Sequence, residues 1–544
     1  MSQFVDTLIK QYEELKAERG TWESMWEDIA ELVMPRKSDI QTRRTPGDKR
    51  TRKLFDSTAL EANQRLAAAI GGTVTSPVIQ WFHFDIPSVR GISELGKRPQ
   101  AVDQWLHDVG TLMFRAMQSS NFNAEIEEVY QDLTAFGTAA LYVEPRPFVN
   151  DAFDGIQFKA LHIGDYFIDE DFDGIVNRLF RLAHMSVSNI ASRWGHQALS
   201  PELARVLEED PHKKFPILHA VFKRLEPINR VLNRFPIASV YIDLQHKALL
   251  HQAGFWEWPI PVARWSKVSG EKYGRGPGFT SLPDVQSLNK AEELGLRAWA
   301  RAIDPPLLAR HDGVIGTPDL RPARLNFVHD PSSDLIPFPQ QTNMNLEVLK
   351  RDDKRNSIRR IFFMDQVQFI PERGKTPPTA AEIQARLNIM LQILGPTLSR
   401  LEFELLQPVI DRVFGIMMRS GAIPPPPPEL LQLVQFIGGK IDVDFIGPIA
   451  RAKRQSESAS IQAAVGFAMQ LAQAQPEVLD ILNSDAIVRA LTQIEGAPMT
   501  ILRDQREVQQ IRQARQQQMQ QQMQLQALQE GGKAAKDISA AVRE

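Results

Sequence analysis

The segment KYGRGPG spans Lys272–Gly278 and contains three glycines and two basic residues directly before a long helical pattern. A P-loop requires a lysine and a hydroxyl residue immediately after its last glycine, but Phe279 and Thr280 follow here. The dinucleotide fingerprint G-x-G-x-x-G has a different spacing, and Pro277 lacks the backbone N–H that a phosphate would use. The segment therefore favours a bend before a helix over a nucleotide-binding loop.

The helix after this bend is predicted to cover residues 281–303. Ser281-Leu-Pro-Asp284 resembles a capping box, and Asp304-Pro305-Pro306 should end the helix. One face carries Lys290, Arg297 and Arg301, and the other side carries Val285, Leu288, Leu296 and Trp299. A packed amphipathic helix with solvated cations would have the same pattern, so this alternative stays open.

Composition limits the classes of function. The 544 residues suffice for about three or four domains. The absence of cysteine excludes disulfides, thiolate metal ligands and cysteine nucleophiles. A net charge of −3 lacks the basic excess that is usual in proteins that hold nucleic acid tightly. The sequence shows neither an apolar run that could span a bilayer nor a signal peptide at its start, so no membrane partner is expected.

Residues 1–280 have the pattern of an α+β domain. Ser57 is a candidate N-cap for the second helix, which Gly71-Gly72 should end. The predicted helices cover residues 3–34, 57–70, 101–118 and 124–136. The predicted strands cover residues 82–86, 138–144, 156–163 and 218–225, with a further strand pair within 238–255.

Helical patterns dominate the rest of the chain. A second charged helix is predicted at 345–361, and Lys350–Lys375 contains eight Lys or Arg against four Asp or Glu. A loop should cover 364–378. The helix from Thr379 to Met418 should be kinked at Gly395-Pro396 and at Pro408 and closed by Ser420-Gly421. Five prolines then precede helical segments at 449–495 and a Gln-rich stretch from 501 to about 530.

Motifs that carry catalysis or bind metals are weak. Asp169–Gly174 reproduces the first half of an EF-hand loop, but Phe180 stands where the bidentate acid is needed. An acidic β-turn is favoured, and adventitious binding of a divalent ion stays open. The sequence contains neither H-E-x-x-H nor G-x-S-x-G. We therefore predict no catalytic residue, no cofactor and no metal site, and we expect that the protein is not an enzyme.

Several separated segments together resemble a known family. They include the sequences DSTALEANQRLAAAIGGTVTSPVIQWFHF (56–84), FGTAALYVE (136–144), GDYFIDEDFDG (164–174), AGFWEWPIPVARW (253–265), GEKYGRGPGFTSLPDVQSLN (270–289), DPPLLARHDG (304–313) and LLQPVIDRVFGIMMRSGAIP (405–424). In this order they resemble the head-to-tail connector, or portal, proteins of short-tailed bacteriophages. The resemblance covers residues 19–424, and the chain beyond 425 matches only in character.

The resemblance implies a predominantly helical α+β fold of the portal type, in a ring of usually twelve subunits at one capsid vertex. The expected parts are a wing (1–280), first stem helix (281–303), clip (304–344), second stem helix (345–361), tunnel loop (362–378), kinked long helix and crown (379–500), and Gln-rich C-terminal helix or barrel (501–544). In this scheme KYGRGPG is the bend between wing and stem.

The resemblance also implies partners and candidate residues. The ring would conduct double-stranded viral DNA and contact the terminase large subunit, the tail adaptor and tail proteins, and the major capsid and scaffolding proteins. It would be assembled in the host cytoplasm and lie in the virion at the portal vertex. Candidate DNA-channel cations are Lys290, Arg297, Arg301, Arg359, Arg360, Arg373 and Lys375.

Two other classes of function remain as alternatives. One is a different ring of the phage particle, such as a tail adaptor, although the long helix–clip–helix pattern argues against a small adaptor. The other is an enzyme that acts on nucleic acid, such as a nuclease or a packaging ATPase. The absence of a P-loop argues against the ATPase.

Overall fold

The computed structural model describes residues 2–42, 44–45, 47–85, 100–146, 153–303, 307–309, 314–315, 327–328, 335–337, 344–367, 389, 393–430, 442–445, 448–472, 482–494, 507–508 and 510–522. The chain divides into two compact units. One comprises residues 1–81 with 111–425, and the other comprises residues 82–110 with 426–544.

Helices dominate an α+β architecture, as the sequence predicted. The helices are α1 (Ser2–Val33), α2 (Thr58–Val74), α3 (Gln100–Gln118), α4 (Phe122–Phe136), α5 (Val187–Trp194), α6 (Pro201–Glu209), α7 (Pro277–Ile303), α8 (Met344–Ile361), α9 (Met364–Val367), α10 (Gln407–Arg419), α11 (Pro448–Ala472) and α12 (Ser484–Ile494). The strands are β1 (Phe82–Asp85), β2 (Thr138–Pro145), β3 (Ile156–Leu161), β4 (Tyr166–Glu170), β5 (Val176–Ser186), β6 (Lys214–Lys223), β7 (Ile237–Asp243), β8 (Ala248–Phe255), β9 (Val262–Arg264), β10 (Leu307–Ala309), β11 (Val314–Ile315), β12 (Phe327–Val328), β13 (Leu335–Pro337) and β14 (Asp442–Phe445).

A five-stranded antiparallel sheet in the order β4-β5-β6-β7-β8 forms the largest sheet of the first unit. Helix α1 covers it because Val5, Leu8, Tyr12 and Leu15 recur at helical spacing and are buried against it. The Tyr12 ring meets Phe167 of β4 edge to face, with centroids 5.0 Å apart. The apolar stripe of the first helix is therefore what attaches it to the sheet.

A second sheet in the order β3-β2-β9 lies beside α4. Residues Thr138–Val143 of β2 are all buried, so this strand is a continuous apolar run at the centre of its sheet. Strand β9 pairs with β2 through Thr138 and Arg264 and delivers the chain to the KYGRGPG segment. The corner between α4 and β2 therefore supports strand β9 and the KYGRGPG segment that follows it.

The KYGRGPG bend packs backbone against backbone on this corner. A Cβ atom on Gly276 would lie 2.8 Å from the Leu133 carbonyl oxygen, and one on Gly278 would lie 2.9 Å from the Ala135 Cα. Gly137, at the corner itself, has a φ of 78°, which glycine tolerates best. The glycines of KYGRGPG therefore allow the backbone of the bend to pack closely against the backbone of α4.

Helix α7 begins earlier than the capping box predicted. It starts at Pro277, a residue whose fixed φ suits the first helical position, and not at Ser281. The Ser281 hydroxyl lies inside the helix and donates to the Gly278 carbonyl at 3.2 Å. The prediction of Ser281 as the cap was wrong because the proline could start the helix four residues sooner.

Three other sequence predictions need correction. Helix α2 continues through Gly71-Gly72 to Val74, and Ser57 makes no side-chain capping bond. Strand β6 begins at Lys214, before the predicted 218, because it pairs along the whole length of β5. Strands β4 and β5 were not predicted, although they form the edge and second positions of the main sheet.

The end of α8 also differs from the expected loop. Ile361 ends the helix, and Phe362 follows as a fully buried turn residue, with Phe363 at a φ of 56°. Helix α9 then contacts α2. Residues 362–367 are therefore a packed turn and helix, which corrects the first part of the predicted 364–378 loop.

The predicted kink near Pro408 takes the form of a π-turn. Residues Glu402–Leu406 are π-helical, and the Gln407 N–H bonds to the Glu402 carbonyl. The extra residue accommodates Pro408, which cannot donate a helix bond and crowds the preceding turn. Helix α10 then ends in a Schellman motif at Gly421, where Ala422 N bonds to Met417 O at 3.0 Å. The predicted stop at Ser420-Gly421 is confirmed.

In the second unit, β1 pairs antiparallel with β14, so that Phe82 faces Phe445. Helices α11 and α12 contact each other. Arg512, in a further helical stretch, forms an ion pair with Asp485 of α12 at 2.6 Å. The helical patterns predicted at 449–495 are confirmed over the described residues.

Candidate nucleic-acid interface

Helices α7 and α8 form an antiparallel pair joined by polar contacts. Lys354 Nζ lies 2.6 Å from Asp284, near the start of α7, and Arg351 lies 3.3 Å from Glu292, further along it. Residue numbers rise on one helix as they fall on the other, which fixes the antiparallel order. The two helices predicted to be separated by the clip are therefore neighbours within one chain.

Asp284 is one anchor of this pair. Its carboxylate accepts from Lys354 Nζ at 2.6 Å and from the Ser357 hydroxyl at 2.7 Å. The hydrogen bond from Lys354 holds the pKa of Asp284 below its usual value. The carboxylate is therefore charged at neutral pH and neutralises the positive charge of Lys354.

Arg355 is a second anchor. It bonds Asp56, before α2, at 3.0 Å and Glu292 of α7 at 2.5 Å. Burial alone would lower the pKa of Arg355, but the hydrogen bond that it donates to Asp56 and the nearby carboxylates raise it. Arg351 crosses α7 at Gly295, where a Cβ atom would lie 2.9 Å from its guanidinium carbon. Much of the basic run in α8 is therefore neutralised inside the chain.

Asn289 attaches the segment before α2 to α7. Its side-chain oxygen accepts from Phe55 N at 2.7 Å, and its side-chain nitrogen donates to Lys53 O at 2.7 Å. These bonds satisfy backbone groups that no strand or helix uses. The start of α2 is thus fixed relative to the helix pair.

The basic stripe predicted on α7 is exposed and shares one carboxylate. Lys290 Nζ lies 2.8 Å from Glu293 Oε2, and Arg297 Nη2 lies 2.5 Å from Glu293 Oε1. The Lys290 and Arg297 side chains are 62% and 66% exposed, whereas Glu293 is 18% exposed. Arg301 is also exposed, one turn beyond Arg297. The three cations thus lie together on an accessible surface.

The apolar face of α7 is covered along only part of its length. Val285 and Leu288 are buried, but Leu296, Trp299 and Ile303 are 50%, 61% and 68% exposed. These exposed side chains lie about 150° around the helix from the cations, at 3.6 residues per turn. Leu294, on the basic side, is exposed as well. The outer half of α7, residues 290–303, therefore presents one basic and one apolar surface.

The remaining candidate cations are divided. Arg359 lines a polar cleft of about 600 Å³ together with Asp56, Asp352 and Arg355. Arg360 is exposed and donates to the Asn356 carbonyl at 3.4 Å on its own helix. Arg373 and Lys375 lie outside the described residues. The structure thus brings Lys290, Arg297 and Arg301 together on α7. It places Arg359 and Arg360 at the C-terminal end of α8.

The cations of KYGRGPG are engaged with carboxylates. Lys272 Nζ lies 2.7 Å from Glu18 and 2.9 Å from Asp169, and Arg275 pairs with Glu271. Arg275 also stacks over Phe279, 4.7 Å from the ring centroid. Both positive side chains have partners, which fits the bend and not a phosphate-binding loop.

The acidic segment Asp169–Gly174 comprises the end of β4 and the turn that leads to β5. The Asp171 carboxylate accepts from Asp173 N at 3.1 Å and Ile175 N at 2.9 Å, and Gly174 has a φ of 76°. Phe180, at the position of the EF-hand acid, is fully buried in the core. The favoured acidic turn is confirmed. Among the described residues, no group of three or more His, Asp or Glu is placed to hold a metal ion.

A buried arginine that the sequence did not single out joins several of these elements. Arg264, 2% exposed, bonds Glu404 of the π-turn through Nη2 at 2.7 Å and Glu170 through Nη1 at 2.7 Å. It also donates to the Gly174 and Lys272 carbonyls. Only the position of an arginine inside an apolar strand pattern, PIPVARW, could have signalled this role.

Similarity to known proteins identifies the family of this chain. The family model described as "Bacteriophage head to tail connecting protein" matches residues 5–502. The chain therefore belongs to the family of bacteriophage head-to-tail connecting proteins.

Two relatives carry portal names. The chain is 28% identical to the "Probable portal protein" of Bordetella phage BPP-1, over 88% of this chain and 85% of the relative. It is also 28% identical to the "Portal protein" of Salmonella phage epsilon15, over 93% of this chain and 90% of the relative. The phage portal function implied by the resemblance is confirmed by these findings together.

A solved structure described as "Virion of native gene transfer agent (GTA) particle" is 12% identical, with a TM-score of 0.33 over 80% of this chain and 95% of that one. That likeness is too low to support any statement about this chain. Within the part of the chain that the structure describes, no helix is long and apolar enough to cross a membrane.

Proposed function

We propose that copies of this chain form a closed ring, usually of twelve, at one vertex of the capsid. The ring conducts double-stranded DNA inward during packaging and outward during ejection. Its proposed partners are the terminase large subunit, the tail adaptor and tail proteins, and the major capsid and scaffolding proteins. Assembly takes place in the host cytoplasm, and the ring then resides in the virion. The ring acts as a conduit and catalyses no reaction.

The observation that carries this proposal is the two-sided outer half of α7. Leu296, Trp299 and Ile303 form an exposed apolar row, and exposed Lys290, Arg297 and Arg301 lie on the other side. An apolar face is suited to a neighbouring copy, since a closed ring covers such a face on every subunit. The cations are then available to the lumen, where DNA phosphates pass.

The charge of this surface suits movement of DNA. Each phosphate that a protein neutralises releases counterions and tightens binding, so a densely basic wall would retain DNA. Here Lys354, Arg351 and Arg355 are paired with acids inside the chain. Within the described part of the helix pair, these three cations are therefore not available to the phosphates, which favours weak, transient contacts.

The parts of the portal scheme are assigned accordingly. We assign residues 1–276 to the wing, α7 and α8 to the stem, and the nested strand pairs β10–β13 and β11–β12 to the clip. Residues 368–378, which lie outside the described residues, are assigned to the tunnel loop, because residues 362–367 form a packed turn and helix. Residues 379–500 are assigned to the kinked helix and crown, and 501–544 to the C-terminal barrel. The family membership supports this order, and the helix pair fits the stem.

A first experiment measures assembly. Negative-stain electron microscopy and light scattering of the full chain should give rings with a central hole and a mass of about twelve chains. The double variant Arg297→Glu/Arg301→Glu should still form rings but package less DNA per capsid. The matched control is Lys16→Glu/Arg205→Glu, which reverses two exposed charges elsewhere and should package normally.

Two outcomes would contradict the proposal. If the Arg297→Glu/Arg301→Glu variant stays monomeric while the control forms rings, the stripe lies in a subunit interface and not in the lumen. If the variant forms rings and packages DNA as well as the control, the stripe does not meet DNA. DNA cleavage that requires a divalent ion and disappears in Asp171→Ala would instead support a nuclease.

A further inference from the structure

Two adjacent acids on α7 have different partners. Glu292 faces α8 and pairs with Arg351 and Arg355. Glu293 faces the exposed surface and lies within ion-pair distance of Lys290 and Arg297. Consecutive helix positions differ by about 100°, so one residue joins the helices while the next meets the stripe. Substitutions at Glu292 and Glu293 therefore make the same chemical change at adjacent positions, and only the partners of the lost carboxylate differ.

We infer that Glu293 sets the positive charge that the stem stripe presents to DNA, and thereby limits how strongly the ring holds it. This inference rests on the proposed function, because it requires Lys290 and Arg297 to face the lumen. One carboxylate between two cations leaves a single net positive charge on the trio. Glu293 does not contact DNA in this scheme, so it is a positioning residue that acts through the two cations.

The contacts explain why Glu293 can do this. Its two oxygens are divided between Lys290 and Arg297, at 2.8 Å and 2.5 Å, and its side chain is less exposed than either cation. The hydrogen bond from Lys290 lowers the pKa of Glu293, so the carboxylate stays charged. In a closed ring every copy repeats this trio, and a change of one charge is multiplied by the number of subunits.

The test measures binding of assembled full-chain rings to linear double-stranded DNA over a series of salt concentrations. Glu293→Gln should bind more tightly than the wild type, with a salt slope steeper by about 0.9 for each added phosphate contact. Glu292→Gln, the matched control, should leave the DNA affinity and salt slope unchanged, because Arg351 is mostly buried and Arg355 keeps Asp56 and Asp352, and should lower the thermal stability. A steeper slope is a readout that a loss of helix stability would not produce.

A second pair of variants guards against structural effects of the substitution. Arg297→Gln should weaken binding, since Glu293 then neutralises Lys290. Glu293→Gln/Arg297→Gln restores one net positive charge and should return the salt slope close to the wild-type value. If the double variant remains as weak as Arg297→Gln, Glu293 does not act through charge and the inference is wrong.

Failure of the inference can be told apart from failure of the proposed function. If Arg297→Glu/Arg301→Glu weakens DNA binding but Glu293→Gln changes neither affinity nor slope, only the role of Glu293 is contradicted. If none of the stripe variants changes binding, the stripe does not meet DNA and both proposals fall.

Discussion

Gly276 and Leu133 approach so closely that a Cβ atom added to Gly276 would lie 2.8 Å from the Leu133 carbonyl oxygen. The neighbouring Thr134 carbonyl would lie 2.9 Å away. Both atoms belong to the backbone near the end of α4, so neither can turn aside as a flexible side chain could. The bend that starts α7 therefore depends on glycine at this position.

We predict that Gly276→Ala lowers the free energy of unfolding by about 1–3 kcal/mol, because the methyl group overpacks rigid backbone. The measurement is the apparent midpoint of thermal unfolding. Gly72→Ala is the control, since nothing lies within 4 Å of a Cβ there. It should be neutral or stabilise α2 by about 0.5–1 kcal/mol. Equal behaviour of the two variants would contradict the tight packing.

Arg264→Met should destabilise the first unit strongly. Removal of the guanidinium leaves the Glu404 carboxylate partly buried without an ion-pair partner, a loss of about 3–5 kcal/mol, whereas Glu170 keeps its ion pair with Lys267. Denaturant unfolding followed by tryptophan fluorescence would measure it. Lys10→Met, which removes an exposed pair with Glu14, is the control and should change stability by less than about 1 kcal/mol.

A double variant separates the lost charge pair from lost packing. Arg264→Met/Glu404→Leu removes the carboxylate that would lose its ion-pair partner together with the arginine and should recover part of the stability. No recovery would mean that Arg264 acts mainly through the Gly174 and Lys272 carbonyls that it also contacts.

Acid should destabilise the sheet around His219. The ring is buried, stacks on Tyr241 with centroids 4.0 Å apart and shares a 2.9 Å hydrogen bond with the Ser239 hydroxyl. Burial, with Arg181, Arg193 and His251 nearby, lowers the pKa of His219 well below its usual value. Tyr142, Tyr241 and Glu144 complete the titratable groups at this site.

Proton linkage determines the direction in which stability changes with pH. The unfolded chain binds a proton at His219 near its ordinary pKa and the folded chain does not, so stability falls as the pH drops below about 6.5. His219→Gln should reduce this loss, as measured by thermal midpoints between about pH 7.5 and pH 5.5. His212→Gln, at an exposed histidine, is the control. An unchanged pH dependence in His219→Gln would show that other groups cause the acid loss.

Deletion of residues 501–544 should leave ring assembly intact. The described side chains from Arg512 to Gln522 are exposed, and Arg512 meets Asp485 in an exposed ion pair of the kind that contributes little. Light scattering should give the same number of subunits as for the full chain. Loss of rings on deletion would instead mean that the Gln-rich segment nucleates assembly.

Local signals in the sequence were sufficient for many elements. Helices α1, α3 and α4 lie within two residues of their predicted bounds because apolar spacing and end signals act within one segment. Strand β5 was missed because its residues Val176–Ser186 do not alternate cleanly between buried and exposed positions. Its place in the sheet is decided by β4 and β6, which no local pattern reveals.

The candidate site shows the same division. The stripe of Lys290, Arg297 and Arg301 follows from helical spacing, and the structure confirms that it is exposed. The pairing of Arg355 with Asp56 joins residues 299 positions apart, so the sequence could not show which cations of α8 are neutralised. Long-range contacts, and not composition, decide how much charge is left on the helix pair.

Among the described residues, helix α7 is packed along only one part of its length. Asp284 and Glu292, which pair with α8, mark the packed part, whereas the side chains of Trp299 and Ile303 are mostly exposed. In mechanical terms, α7 is held at its N-terminal end, where the glycine-packed bend at Gly276 joins it to α4 and β2. A force applied at the far end would therefore reach the rest of the chain by two routes: as torque on α4 and β2 through the glycine-packed bend, and through the ion pairs of Asp284 and Glu292 with α8.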